Sequence, residues 1–437
     1  MTQGQVKPDR IWSIDGDHEI VLKQSWAIIL KHFGYDLDDM TYADIENKAN
    51  FVSSKSKHAL PKVLKSILSD LQPPSQRTIK VFRHMNGNAN HLEGEYDKSV
   101  KPISKDRFHH FEKHSDPMLH QAFINGLRND SPDNELLRFV RARKFKLLPI
   151  VEMAANQLEW KSTHHNVDKY LSDADAYYYF NKEKPEYIGA FEKEKAYLRG
   201  NDLKGGKIAV VRVKKHFGHD CPEVDFEIFI CQIIESARLT LRDYELGTDG
   251  ANILFDMSGF SLKNADLNAV KFLAKQFEAN YPESLSAIWI HKAPWIFNAV
   301  WKIIKGWLDP VVASKIHFTK TTKDLEKFVD KKHIPLDLGG LDDFEPTYIP
   351  PTKENSAKKP KDETFQKLVA EREHILLQFF EHTLKWIKAK TPEESTELLN
   401  TKIQLGAEGG LNYIALDPYI RTRSLFDRNG CIGTLGI

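Results

Sequence analysis

In ELLRFVRARKFK (135–146), Arg138, Arg141, Arg143, Lys144 and Lys146 surround an apolar stripe of Leu136, Leu137 and Val140. Cations gathered like this can end a helix, where positive charge suits the macrodipole. They can also hold a phosphate or an anionic headgroup, to whose oxygens arginine presents a planar fork of donors. The residue types leave both readings open. Two more ionisable residues stand just ahead of apolar, strand-like runs. Glu283 in ANYPESL falls between a helical pattern and a buried strand, where a carboxylate needs a partner. Lys315 in LDPVVASK follows a short helix that opens with Asp309 as N-cap and Pro310 at the first helical position. KHFGHDC gathers His216, His219, Asp220 and Cys221. No second ligand cluster matches it, so it reads as a loop and no metal is expected.

No nucleophile and base are set out for catalysis. FDMSGF carries Ser258 but lacks the glycine two residues earlier that a nucleophile elbow needs. LKGGK lacks the P-loop spacing, and no GxGxxG opens a helix. The expectation is a protein without catalytic residues and without a cofactor in the enzymatic sense. With 62 Lys and Arg against 61 Asp and Glu, the net charge of +1 gives no global attraction to nucleic acid. Three widely spaced cysteines, Cys221, Cys231 and Cys431, form no disulfide framework and point to a reducing, cytoplasmic home. The polar start MTQGQVKPDR is not a signal peptide, and no apolar run reaches the ~18 residues of a membrane span.

The elements that must position these residues follow from periodicity. EIVLKQSWAIILKHFG (19–34) reads as a helix closed by Gly34, followed by polar sequence and a mobile linker over 72–106. Helical patterns resume at about 107, with Ser131 capping a helix that has Pro132 at its first position. From about 185 short β-branched runs appear at 207–217, 251–260, 285–293 and 315–320, alternating with long helical patterns at 223–246 and 262–281. That alternation argues for an α/β fold with a mixed or parallel sheet under helices. A Pro/Lys linker spans 345–361, and a long amphipathic helix spans 362–390. The expected division is an N-terminal extension over 1–106, a helical lobe over 107–184, an α/β domain over 185–345, and a linker, helix and tail over 346–437.

One segment does not fit a solvated surface. HKAPWIFNAVWKIIKGWLDPVVASK (291–315) is apolar on most of its circumference, with Asn298, Lys302 and Lys305 as a narrow polar stripe. At about 14 residues, roughly 21 Å, it is too short to span a bilayer. It is a core helix, or its tryptophans and lysines suit the boundary of water and lipid.

Taken in order, LLRFVRARKF, NILFDMSGF, YPESL, IHKAPWIFNAVWKIIKGWLDPV, SKI and IPLDLGG resemble the CRAL-TRIO lipid-binding family over roughly 131–345. Within that family they are similar to the yeast phosphatidylinositol transfer proteins. VLKQSW near the start and LDPYIRTRS near the end resemble a non-classical fungal member. The resemblance implies a helical N-terminal lobe and a five- to six-stranded sheet floor. Above the floor it implies a lipid pocket covered by a mobile gate helix, which carries Trp295, Phe297, Trp301 and Trp307 to the membrane. It assigns the phosphatidylinositol headgroup to Arg143, Glu283 and Lys315. Two positions depart from the family pattern: Ser284 stands where arginine is frequent, and Val312 replaces a threonine. Where classical members place Ser and Thr for phosphatidylcholine, this chain has Ala251 and Ile253, which favours a sterol or squalene-like second ligand. The implied function is phosphatidylinositol transfer in phospholipid and phosphoinositide metabolism. Its partners are the phospholipid, a transiently met membrane (endosome, endoplasmic reticulum or lipid droplet) and lipid kinases, and the protein acts as a monomer. The alternatives are a neutral-lipid carrier and a lipid-regulated adaptor.

Overall fold

A computed structural model describes residues 9–11, 13–14, 16–33, 35, 116–241 and 249–432. The expected cap at Gly34 and the linker over 72–106 lie outside the described residues. The chain forms two compact units, and each draws on separate stretches of sequence: 1–164 with 361–416, and 165–360 with 417–437.

The first unit is helical, with helices Gly16–His32, Asp116–Leu127, Pro132–Ala142, Leu147–Glu159 and Glu363–Ile387, and most of Pro392–Ile420. Ser131 caps Pro132–Ala142 by accepting from Asn134 N–H at 3.1 Å, with Pro132 at the first position. Helix Gly16–His32 is buried nearly all round, Glu19, Lys23 and Gln24 included. A helix buried on its whole circumference needs partners for its polar residues. The C-terminal helices supply them: Lys23 Nζ donates to Ser395 Oγ at 2.6 Å, and Ser395 Oγ donates to Glu19 Oε1 at 2.9 Å. Asp133 Oδ1 accepts from Lys402 Nζ at 2.9 Å and from the Trp26 indole at 2.7 Å. Trp26 packs its ring against Phe123, Phe379 and Phe380 at about 6 Å.

The second unit is built on one five-stranded sheet: β1 Ala196–Asn201, β2 Lys207–Arg212, β3 Ala251–Asp256, β4 Leu285–His291 and β5 Ile316–Thr319, in that spatial order. β1 is antiparallel to β2, and the other pairs are parallel. The parallel strands are the near-continuous apolar runs expected of strands covered on both faces. On one face Tyr197, Ile208, Val210, Leu254 and Trp289 pack with Leu325, Val329, Ile334 and Leu338. The other face meets the crossover helices Glu223–Arg238, Leu267–Lys275 and Phe297–Lys305. Between β3 and β4 the register shifts from Ala251↔Leu285 to Asn252↔Ala287, so Ser286 is the extra residue of a bulge. The bulge turns both Leu285 and Ile288 to the same face.

Three expectations change. Ala196–Asn201 is a strand that the sequence does not suggest, because its apolar residues stop at Leu198 and Arg199, Gly200 and Asn201 follow. The pattern over 262–281 is not one helix. Ser261 and Asn264 close a capping box, Asp266 then caps Leu267–Lys275, and a π-turn follows over Gln276–Asn280. The apolar helix is nine residues, Phe297–Lys305, about 14 Å long rather than 21. Gly306 ends it, and Asp309 and Pro310 start a separate helix, Pro310–Ser314.

The last residues are part of the second unit. Arg428 and Asp175 pair with side chains 1% exposed, and Asp175 Oδ1 also accepts from Leu425 N–H at 3.0 Å.

Candidate functional site

Between the sheet and its crossover helices lies a cavity of about 230 Å³. One water needs on the order of 10–15 Å³ by the same measure, so the space suits a large guest. Its floor is made by the side chains that alternation and the bulge turn inward: Val211, Ala251, Ile253, Phe255, Leu285, Ile288, Ile290 and Ile316. Phe226, Phe229, Ile233 and Ala237 of Glu223–Arg238 form one wall, and Val270 and Leu273 of Leu267–Lys275 another. An apolar interior of this kind keeps water out and takes apolar surface in.

Helix Phe297–Lys305 closes a further side with Phe297, Val300, Trp301 and Ile304, which fall on one helical face. Phe297 is buried and meets Phe260 edge-on at 5.5 Å, while Trp301 lines the cavity and meets Phe318 at 5.1 Å. The outer side is also apolar in part. Trp295 is 82% exposed and Trp307 42%, with Ile303, Val311 and Phe318 exposed nearby in sequence and Lys302 and Lys305 among them. So the four aromatics singled out by sequence divide: Phe297 and Trp301 face the cavity, Trp295 and Trp307 face outward.

Lys315 and Glu283 are brought together at the amino ends of β5 and β4, with Nζ and Oε2 3.8 Å apart and both side chains part-buried. Lys315 is placed by the end of Pro310–Ser314, and its carbonyl accepts from Ile288 N–H at 2.8 Å. Glu283 sits in the left-handed region at φ 54°, between buried Tyr281 and Ser284. Tyr281 Oη anchors the turn from behind by donating to Glu235 Oε1 at 2.8 Å. Ser284 and Val312, and with them Ala251 and Ile253, all line the cavity.

Arg143 belongs to the first unit, as the C-cap residue of Pro132–Ala142. It is half-buried, and the chain turns sharply after it through Lys144 and Phe145, both at positive φ. Its guanidinium makes no hydrogen bond or ion pair among the described residues.

KHFGHDC forms two 3-10 turns, Val213–Lys215 and Gly218–Asp220. Burial raises the Cys221 thiol to about 11. Among the described residues no three His, Cys, Asp or Glu side chains are placed to hold a metal. His216 instead turns to the cavity wall beside Lys195 and Asp266. Sequence reading missed that trio, whose members lie 21 and 50 residues apart. Arg238, a buried cation at the end of helix Glu223–Arg238 that also lines the cavity, was missed too.

The CRAL/TRIO domain family matches residues 191–340, the stretch that holds the sheet and the cavity. The phosphatidylinositol transfer protein CSR1 of Eremothecium gossypii is 36% identical over 99% of this chain and 100% of its own length. A CRAL-TRIO domain-containing protein of Schizosaccharomyces pombe is 30% identical over 99% of this chain and 93% of its own. The SEC14 cytosolic factor of Eremothecium gossypii is 24% identical over 59% of this chain and 80% of its own. The chain therefore belongs to the CRAL/TRIO lipid-binding family and is related along its whole length to a fungal phosphatidylinositol transfer protein.

Proposed function

We propose that this protein is a carrier: it holds one phosphatidylinositol in the cavity and exchanges it at membranes through helix Phe297–Lys305. The observation that carries the reading is the two-sided helix. One face lines the cavity while the flanking Trp295 and Trp307 stand exposed. A diacyl lipid buries on the order of 30 CH₂ groups at ~0.8 kcal/mol each, roughly 25 kcal/mol, so it does not cross water bare. An apolar cavity with a movable wall removes that barrier, and the outer tryptophans and lysines give the wall a place to rest at the membrane.

In this reading the Lys315 ammonium pairs with the inositol phosphate, and Glu283 orients Lys315 and accepts from an inositol hydroxyl. A buried phosphate is costly unless paired, and these residues supply the pairing. The protein moves its ligand without converting it and works as a monomer, with lipid kinases receiving the presented headgroup. It resides in the cytoplasm and visits the endosome, endoplasmic reticulum or lipid droplets transiently. No helix among the described residues is long and apolar enough to cross a membrane, which accords with such visits.

A second reading is favoured by Ala251, Ile253 and Val312, whose apolar side chains line the cavity where a hydroxyl would serve a phosphate. It makes a neutral lipid the main cargo and phosphatidylinositol the secondary one. Native mass spectrometry after incubation with a mixed yeast lipid extract separates the two. A phosphatidylinositol adduct that disappears in Lys315→Ala supports the first reading. A neutral-lipid adduct alone, unchanged by the substitution, supports the second.

A further inference from the structure

The loops that leave the carboxyl ends of β2, β3 and β4 form one rim of the second unit. The register sets Arg212 beside Asp256 and Asp256 beside His291, so the three strands end level. Just past the last pair, Met257 N–H donates to the His291 carbonyl at 2.9 Å. Beyond it Ser261 and Asn264 close their capping box, and Asn264 Nδ2 donates to the carbonyls of His216 at 2.9 Å and Lys214 at 3.3 Å. The Phe260 ring that meets Phe297 ties the same loop to the start of helix Phe297–Lys305. The rim is therefore held by its own bonds, and it is continuous with the wall that the carrier reading makes movable.

This surface shows solvent an apolar tip among cations. Leu262 stands 61% exposed, and Trp295, three residues past Lys292, is 82% exposed. Lys214 and Lys263 are exposed and Lys292 is part-exposed. None of these three lysines makes an ion pair among the described residues. The carboxylates of the same loops are engaged. Asp220 pairs with Lys193 and Lys195, Glu194 with Arg212 and Lys215, and Asp266 with His216. Asp256 is buried and accepts from Ser258 N–H.

The boundary of a bilayer takes up both features at once. An apolar side chain enters the acyl region while ammoniums meet the headgroup phosphates, and each lysine near an anionic leaflet strengthens binding about fivefold. Continuity with Trp295 favours a bilayer over a protein partner. A helix that swings would break a protein interface at every exchange, whereas a fluid surface follows it.

We propose that the rim built by Lys214, Leu262, Lys263 and Lys292 is the fixed part of the docking surface, and that it fits a membrane leaflet carrying anionic lipid. The proposal rests on the carrier reading and adds that the protein stays seated on this rim while helix Phe297–Lys305 moves. The test is flotation of the full-length chain with vesicles of dioleoylphosphatidylcholine, alone or with about one third dioleoylphosphatidylserine. Wild type is expected to bind the anionic vesicles about tenfold better. Leu262→Asp, and Lys214→Ser combined with Lys263→Ser, are each expected to lower that binding about tenfold. Leu203→Asp is the matched control. Leu203 is also 61% exposed and stands next to Lys204, but on the β1–β2 hairpin at the amino end of β2. It should leave binding as in wild type. The substituted side chains are all exposed, and unfolding in urea checks that each variant is folded. Equal binding of wild type to both vesicles, wild-type binding by either rim variant, or the same loss in Leu203→Asp overturns the proposal. Phosphatidylinositol loading, read by native mass spectrometry, tests the carrier reading apart from it. Loading by wild type with no effect of the rim substitutions on flotation sinks the rim alone. No loading sinks the carrier reading and the proposal with it.

Discussion

Glu283 holds its backbone in the left-handed region, which costs a residue with a Cβ roughly 1–2 kcal/mol. Its ion pair with Lys315, at 3.8 Å and part-exposed, returns about 0–1 kcal/mol at most. The pair is therefore poorly explained as a device for stability and better explained by what it presents. Lys315→Ala is expected to shift the melting temperature by less than about 3 °C. The same variant should lose phosphatidylinositol transfer between vesicles, with neutral-lipid loading retained. A large loss of stability would return Lys315 to a structural role. Val312→Thr restores a hydroxyl on the cavity wall. It should cost the empty protein about 1–2 kcal/mol, since the hydroxyl is buried without a partner, and raise the ratio of phosphatidylinositol to neutral lipid in the loaded protein. Glu283 and Lys315 stand out in the sequence because each is an ionisable group set beside an apolar run. Lys195, His216 and Asp266 do not, because a polar trio assembled from three separate loops has no local pattern.

At the scale of the element, the proposed exchange turns on helix Phe297–Lys305. Its apolar circumference raised a choice between core helix and membrane helix, and the structure divides the residues between the two surfaces. Exchange at membranes is best tested on the outward set, because Trp301 lines the cavity and its loss would confound loading with docking. Trp295→Asp with Trp307→Asp is expected to leave unfolding in urea close to wild type and to slow vesicle-to-vesicle lipid exchange at least tenfold. Unchanged exchange would reduce the helix to a fixed wall. Periodicity overextends this helix because Trp307 and Leu308 continue the apolar run. Composition does not show that Gly306 and the Asp309–Pro310 cap split the run in two. Of the sheet, the four parallel strands were legible from β-branched density. The strand β1 was not, since its apolar run stops at Leu198 and gives way to Arg199, Gly200 and Asn201.

At the scale of the molecule, the described stretches of both chain extensions are parts of folded units. Helix Gly16–His32 and the two long C-terminal helices share one core, which buries Lys23, Lys402, Glu19 and Asp133. Asp133→Ala strands the Lys402 ammonium and the Trp26 indole, and should destabilise the helical unit by about 3–5 kcal/mol in denaturant unfolding. Burial draws the Lys23 pKa down to about 8 from 10.5, opposed by Glu19. Between those values the unfolded chain holds a proton that the folded chain has released, so the contribution of Lys23 to stability rises with pH across that window. From pH 7.5 to 9.5, wild type should gain about 2 kcal/mol on Lys23→Met. A constant difference would mean that Lys23 stays protonated throughout. Nothing in the sequence announces this network: Ser395 and Lys402 lie on Pro392–Ile420, in the stretch expected as tail, and Glu19 and Lys23 are ordinary charged residues on a helix read from its apolar spacing. What joins them is a contact between residues more than 370 apart.

The interleaving of the two units bears on how the protein is made. The helical unit is incomplete without 361–416, and the sheet unit is incomplete without 417–437, whose Arg428 closes on Asp175. Synthesis runs from the first residue to the last, and chains of separate domains ordinarily finish each one as it emerges. Here the helical unit has its parts only once 361–416 has been made, and the sheet unit only once the stretch from 417 that carries Arg428 has followed. The apolar strands therefore wait for a segment made long after them. Truncation ahead of Arg428 would leave Asp175 buried without its partner, in a unit whose last strand was made more than a hundred residues before.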